Sequence, residues 1–190
     1  MKQVEIYFVT GNKDKFNEIG GVLKREGIKV KQTDLDLPEV KKGNDILNTA
    51  KAKAIMASKL LGKPVIYDDG GLFIKSLNDF PGINTAFAIN TIGIEGILKL
   101  IRGKDRSAEF RSALAYADPE GRFKIVINST KGKLSAKPKG SLKKHFQLDT
   151  LFIPARDTRT FSEMTIEEKN RYAKHNVQNA IELAKLLKSV

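Results

Sequence analysis

Val65-Ile66-Tyr67-Asp68-Asp69-Gly70-Gly71-Leu72-Phe73-Ile74 is the stretch on which the fold turns. Apolar residues lead in, two adjacent carboxylates and two glycines follow, and apolar residues then resume. An unpaired carboxylate is costly in an apolar interior, so a buried strand must end, bend or supply partners at Asp68 and Asp69. Read locally, Asp-Gly marks a tight turn between two hairpin strands. If the strand persists instead, alternation sends the two carboxylates to opposite faces. One then meets a cation in a cleft while the scaffold holds the other. Gly70 and Gly71 let the backbone approach a ligand closely or take positive φ. The rest of the chain favours the cleft.

Upstream, Asp45 to Leu61 has the Ala- and Leu-rich spacing of a helix, and Gly62-Lys63-Pro64 ends it and opens the central strand. Lys51 and Lys53 lie about 200° apart around such a helix, so only one of them faces a given site. Earlier, Val4 to Val9 reads as a short buried strand. Thr10-Gly11-Asn12-Lys13-Asp14-Lys15 follows, then a helical pattern through Phe16, Ile19, Val22 and Leu23 that ends at Gly27. A helix start behind a strand favours an anion, Asn12 can cap it, and Lys13 and Lys15 add positive charge. No GxxxxGK[ST] signature is present, so an ordinary capped helix explains these residues as well. After a second strand, Ile28 to Thr33, Leu37-Pro38-Glu39 holds Glu39 in a loop where a carboxylate stays hydrated and can ligate a metal.

Downstream, Asn78-Asp79-Phe80-Pro81-Gly82 is a turn cluster, and Ile92 to Ile101 is expected to form a helix closed by Gly103. Phe110 to Ala117 and Phe123 to Asn128 read as strands joined by Asp118-Pro119-Glu120-Gly121. Ser129 to Lys144 is the most basic stretch and reads as a strand end followed by a mobile loop. Leu151 to Pro154 returns to the core, Thr165-Ile166-Glu167-Glu168 is a capping signal, and His175 to Leu187 is an amphipathic helix.

The 190 residues suit one large domain or two small lobes sharing a core, and no repeat or linker divides them. No apolar run is long enough for a membrane helix, and the start of the chain goes straight into a strand-like stretch without signal-peptide character. With no Cys there is neither a disulfide framework nor a thiolate metal site, which suits a reducing cytoplasm. Lys plus Arg number 34 against 22 Asp plus Glu, a net charge of +12 that attracts phosphates on a nucleotide or a nucleic acid.

Several segments, in this order, resemble the inosine triphosphate pyrophosphatase family, whose members cleave non-standard purine nucleoside triphosphates to monophosphate and pyrophosphate. They are Thr10 to Lys15 with Glu18, Leu37-Pro38-Glu39, Asp68 to Leu72, Phe80-Pro81-Gly82, Thr91-Ile92-Gly93 with Glu95-Gly96, Leu151 to Pro154, and Thr160 to Thr165 with Glu167-Glu168-Lys169. Each is weak alone; their order and separations are specific. The resemblance implies an α/β fold, an elongated mixed sheet flanked by helices, in two lobes with a nucleotide cleft between them, and a homodimer. It places Thr10, Gly11, Asn12 and Lys15 at the triphosphate, with Asp68 and Gly70 beside them. Glu39 and Asp69 match the carboxylates linked to Mg²⁺, and Asp69 also matches the base for the attacking water. Lys53 resembles the lysine reaching the phosphates. Phe146 matches the aromatic on the base, Asp149 the carboxylate near it, Lys169 a further ligand-contacting lysine, and His175 the histidine of a C-terminal Ser-His-Arg motif.

The chain departs from the family pattern in three places. Gly70 stands where Ser or Thr follows the Asp pair. His145-Phe146-Gln147-Leu148-Asp149-Thr150 keeps Phe and Asp but loses both glycines, the second aromatic and the proline of the family stretch. Aligning His175 with the motif histidine requires one inserted residue and puts Asn176 where Arg belongs; aligning without it gives Ala173-Lys174-His175, and His175 reads equally as a solvated helix residue. The phosphate and metal half of the pattern is therefore the better kept. An alternative from another class is a basic nucleotide- or nucleic-acid-binding protein of weak or no activity. Lysines without interleaved aromatics over 131–144 argue against stacking on single strands.

Overall fold

The computed structural model describes residues 5–38, 45–141 and 147–189. Glu39 and Phe146, both expected at the site, lie outside the described residues.

Seven strands form one mixed sheet: β1 (Ile6–Val9), β2 (Val30–Thr33), β3 (Val65–Ile74), β4 (Pro81–Gly82), β5 (Ser107–Ala117), β6 (Phe123–Leu134) and β7 (Phe152–Pro154). Their order is β2-β1-β3-β5-β6-β7, with β4 paired to β3. β1 runs parallel to both β2 and β3, whereas β3 and β4, and β6 and β7, are antiparallel. The helices are α1 (the contiguous pieces Lys13–Lys15, a π-helical Phe16–Gly20, and Gly21–Arg25), α2 (Ile46–Leu61), α3 (Thr85–Leu100), α4 (Ile166–Tyr172) and α5 (His175–Lys188). The expected α/β class with a mixed, helix-flanked sheet is borne out.

Two compact units divide the chain. The first takes the sequence through Asp69, then Ser112–Asn128 and the segment from His175 onward. Its core gathers Phe8, Ile19, Leu23, Ile66, Leu114 and Leu183 from β1, α1, β3, β5 and α5. The second takes Gly70–Arg111 and Ser129–Lys174. Its core is aromatic: Phe152 lies 4.6 Å from Phe110 and 5.1 Å from Phe161 between ring centroids.

β3 does not turn at Asp69-Gly70; it continues unbroken from Val65 to Ile74. The glycines serve a close approach. A Cβ on Gly71 would lie 1.9 Å from the Gly82 carbonyl oxygen, so β4 can pair with Leu72 and Phe73 only over a bare backbone.

Two boundaries differ from expectation. α3 starts at Thr85 rather than Ile92 and passes through a non-helical Gly93 at φ 66°. Thr85 explains the early start: its hydroxyl donates to the Gly82 carbonyl and accepts from Leu72 N at 2.8 Å, fastening the first turn to β3 and β4. β6 runs on to Leu134, beyond Asn128. Over Thr130 to Leu134 the buried Thr130 and Leu134 alternate with exposed Lys131 and Lys133, and the strand is closed by β7 through Lys133↔Ile153. The basic character of the stretch hides a regular strand.

Candidate active site

In the parallel part of the sheet, β1 leads to β2 on one side and lies against β3 on the other. Successive connections therefore leave β1 in opposite directions, the arrangement that opens a binding crevice at the carboxyl ends of the strands. The register Val9↔Tyr67 sets Thr10 and the loop after β1 against Asp68, the next residue of β3.

That loop is ordered by its own side chains. Asn12 is extended at φ −89°, ψ 107°, and its Oδ1 accepts from Asp14 N at 2.9 Å and Lys15 N at 3.1 Å. Thr10 Oγ1 accepts from Asn12 N at 3.1 Å, and Thr10 N donates to Thr33 O at 2.9 Å. Gln32 adds a bond from Nε2 to Thr10 O at 2.9 Å. The loop is thus fixed from β2 as well as from its own helix.

Lys15 Nζ donates to Asp68 Oδ2 in an ion pair. The Asp68 side chain is 1% exposed and that of Lys15 37%, so the carboxylate is buried while the lysine side chain keeps partial contact with solvent. Burial alone would lower the Lys15 ammonium, but the charge of Asp68 and its hydrogen bond, with Asp69 adding, raise it above the usual lysine range. Lys15 is held as a cation.

The other Asp68 oxygen, Oδ1, accepts from Ser112 Oγ on β5 at 2.9 Å. Asn179 of α5, wholly buried, donates to Ser112 O at 2.7 Å and to its Oγ at 3.2 Å. Asn128 Nδ2 on β6 donates to Asn179 Oδ1 at 3.0 Å and to Glu182 Oε2 at 3.1 Å. This buried polar chain was not anticipated from the sequence. One signal was present: Asn179 interrupts an apolar stripe with Ala180, Leu183 and Ala184, where a polar side chain needs a partner.

Lys53 and Lys51 separate as the helical spacing requires. Lys51 Nζ lies 3.9 Å from the centroid of Phe123, whereas Lys53 Nζ lies 5.6 Å over the ring of Tyr67, the residue before the Asp pair. Burial raises the Tyr67 phenol; Lys53 pulls it down, and Asp69 and Asp68 push it further up. Asp69 is half-buried on β3, and His175 is the half-buried first residue of α5. The first unit therefore collects Thr10, Gly11, Asn12, Lys15, Lys53, Asp68, Asp69 and His175.

Gly70, Asp149 and Lys169 belong to the second unit. Lys169 Nζ on α4 donates to Asp149 Oδ2 at 2.5 Å and sits 5.4 Å over the Phe161 ring. Asp149 is buried in the short helical turn Gln147–Thr150.

Among the described residues no three His, Cys, Asp or Glu side chains cluster as a ready-made metal site. A carboxylate such as that of Asp69 is the kind of hard oxygen donor that Mg²⁺ takes together with a second carboxylate, phosphate oxygens and water. The donor chemistry fits; Glu39, the candidate second carboxylate, lies outside the described residues.

Comparison with known proteins bears out the resemblance read from the motifs. The Ham1 family model matches residues 6–184. The chain is 40% identical over 167 residues to a dITP/XTP pyrophosphatase of Methanopyrus kandleri, covering 87% of each. It is 38% identical over 187 residues to a dITP/XTP pyrophosphatase of Saccharolobus solfataricus, covering 98% of this chain and 95% of that one. Among solved structures, a HAM1 protein from Coxiella burnetii matches with a TM-score of 0.79 at 25% identity, covering 98% of this chain and 100% of that one.

Proposed function

The chain belongs to the Ham1 family, and from that premise we propose that it is a Mg²⁺-dependent pyrophosphatase converting ITP, dITP and XTP to monophosphate and pyrophosphate. Hydrolysis of a triphosphate anhydride in non-standard purine nucleotides is the activity its relatives' names carry. The observation that carries the finer reading is the Lys15–Asp68 pair beside the loop after β1, a cation held by a buried carboxylate on a side chain that keeps partial contact with solvent.

Thr10, Gly11, Asn12 and Lys15 hold the triphosphate, and Lys53 adds a second cation from α2. Mg²⁺, held there, would neutralise phosphate oxygens. Glu39 and Asp69 are its ligands in this reading. Asp69 also orients the attacking water and takes its proton, and the two lysines absorb charge as the anhydride opens. Asp68 anchors Lys15 instead of binding metal, since both its oxygens are engaged by protein donors. Phe146, Asp149, Lys169 and His175 form the base end, and Gly70 leaves room in place of a hydroxyl. The working unit is a single two-lobed domain spanning 1–190, acting as a homodimer in the cytoplasm. Among the described residues no helix is long and apolar enough to cross a membrane.

Turnover of ITP, dITP, XTP and the standard triphosphates with Mg²⁺, followed by phosphorus NMR, tests this reading. Monophosphate plus pyrophosphate from ITP and XTP is expected. Orthophosphate plus diphosphate overturns the proposed register of attack. Failure on every triphosphate favours the nucleic-acid-binding alternative.

A further inference from the structure

We propose that Asn179 is the positioning residue of the phosphate cation: through Ser112 it fixes the Asp68 carboxylate that aims Lys15 into the site. The inference rests on the reading of Lys15 as a triphosphate ligand. Its basis is the direction of each hydrogen bond. The Ser112 hydroxyl has one proton and donates it to Asp68 Oδ1 at 2.9 Å. Its oxygen is then left to accept, which Asn179 Nδ2 satisfies at 3.2 Å, while the same nitrogen donates to Ser112 O at 2.7 Å. Two donors from one amide nitrogen grip both ends of Ser112 and prevent its hydroxyl from turning away from Asp68. The Asn179 amide cannot flip, because its oxygen accepts from Asn128 Nδ2 at 3.0 Å, and that nitrogen is itself directed by Glu182 Oε2 at 3.1 Å.

The donor direction therefore runs from Asn128, which also donates to Glu182, through Asn179 and Ser112 to Asp68, where it meets the bond that Lys15 donates from the other side. Asn179 and Ser112 are 0% and 3% exposed, so water cannot replace a lost member cheaply. Asn179→Asp keeps the shape but sets a carboxylate oxygen against the Ser112 carbonyl and draws the Ser112 proton away from Asp68. The Asp68 carboxylate then loses its second hold, and Lys15 follows it out of line. Displacements of this kind act at a distance from the chemistry without touching substrate.

The test is a double-mutant cycle on the full chain, read by the affinity of inorganic triphosphate in EDTA and by kcat and KM for ITP. Lys15→Met should weaken triphosphate binding. Asn179→Asp should weaken it about tenfold in the wild-type background and hardly at all once Lys15 is Met, because the two act through one group. Ser112→Ala, a smaller change at the next link, should repeat that pattern and serves if Asn179→Asp does not fold. Equal losses in both backgrounds, or no loss at all while Lys15→Met weakens binding, overturn the positioning role and leave the phosphate reading standing. A Lys15→Met variant that binds triphosphate normally overturns the phosphate reading and the proposal with it.

Discussion

Among the described residues, each unit holds a lysine–aspartate pair whose carboxylate is buried, and the two are built differently. Asp68 is 1% and Asp149 4% exposed in the side chain, while Lys15 and Lys169 keep 37% and 26% of theirs in contact with solvent. Lys15 leaves a helix start fixed by Asn12, and its partner is backed by Ser112 and the asparagine chain behind it. Lys169 comes from the middle of the seven-residue α4 and passes over the face of Phe161 before reaching Asp149. Lys15 is aimed by a carboxylate that Ser112 also grips, whereas Lys169 reaches its carboxylate across an aromatic face. In the proposed function the first pair meets the triphosphate, which every substrate presents in the same way, and the second meets the base, which differs between substrates. In the sequence, the segments around Lys15 and Asp68 keep the family pattern, whereas His145–Thr150 around Asp149 departs from it.

The most damaging change should fall next to the first pair. Asp69→Asn, and likewise Glu39→Gln, should lower kcat for ITP at least ~100-fold with unchanged thermal unfolding, because each removes a metal-linked or proton-accepting carboxylate. Near-normal turnover in both variants would detach the chemistry from the first unit altogether.

Neutralising the two pairs compares them directly. Asp68→Asn should cost about 2 kcal/mol of unfolding free energy, the scale of a charge-assisted hydrogen bond lost next to a buried network. It should also reduce kcat/KM on every triphosphate alike. Asp149→Asn should cost less stability, since Lys169 keeps the Phe161 ring, and should alter the ratio of ITP to ATP more than the rate on either. Urea titrations alongside the substrate panel measure both. A uniform rate loss from Asp149→Asn would mean that the second pair serves the phosphates too.

Local chemistry decided what was legible in the sequence. The Asn12 cap and the Thr165–Glu168 capping box each close within three residues, so a few positions in order are enough to read them. The π-helical turn at Phe16–Gly20 left the spacing of Ile19, Val22 and Leu23 readable as a helix. The Ser112–Asn179 bond spans 67 positions, Asn128–Asn179 51 and Lys15–Asp68 53, and no periodicity announces pairings of that length. The same holds for α3, whose start depends on Thr85 finding Gly82 and Leu72 across a close glycine contact. On β6, outward lysines masked an alternation that only the pairing with β7 makes regular.

The smallest effect concerns selectivity. An arginine at position 176 would present donors suited to the 6-oxo group of inosine and xanthine and unsuited to the 6-amino group of adenine. Asn176 is not idle, however: its Nδ2 donates to Glu18 Oε2 at 3.0 Å, tying α5 to α1. A guanidinium introduced there meets that carboxylate first and pairs with it, fork to fork. Asn176→Arg alone should therefore move the ITP-to-ATP ratio by less than about threefold, because the new donors are satisfied before they reach a base. Combined with Glu18→Gln the same change should raise the ratio about tenfold, the value of one charge-assisted hydrogen bond gained by the correct base only. Steady-state kcat/KM for ITP and ATP in the two backgrounds separates these outcomes. A tenfold gain from the single substitution would mean that Glu18 does not compete, and that position 176 faces the base even in the chain as it stands.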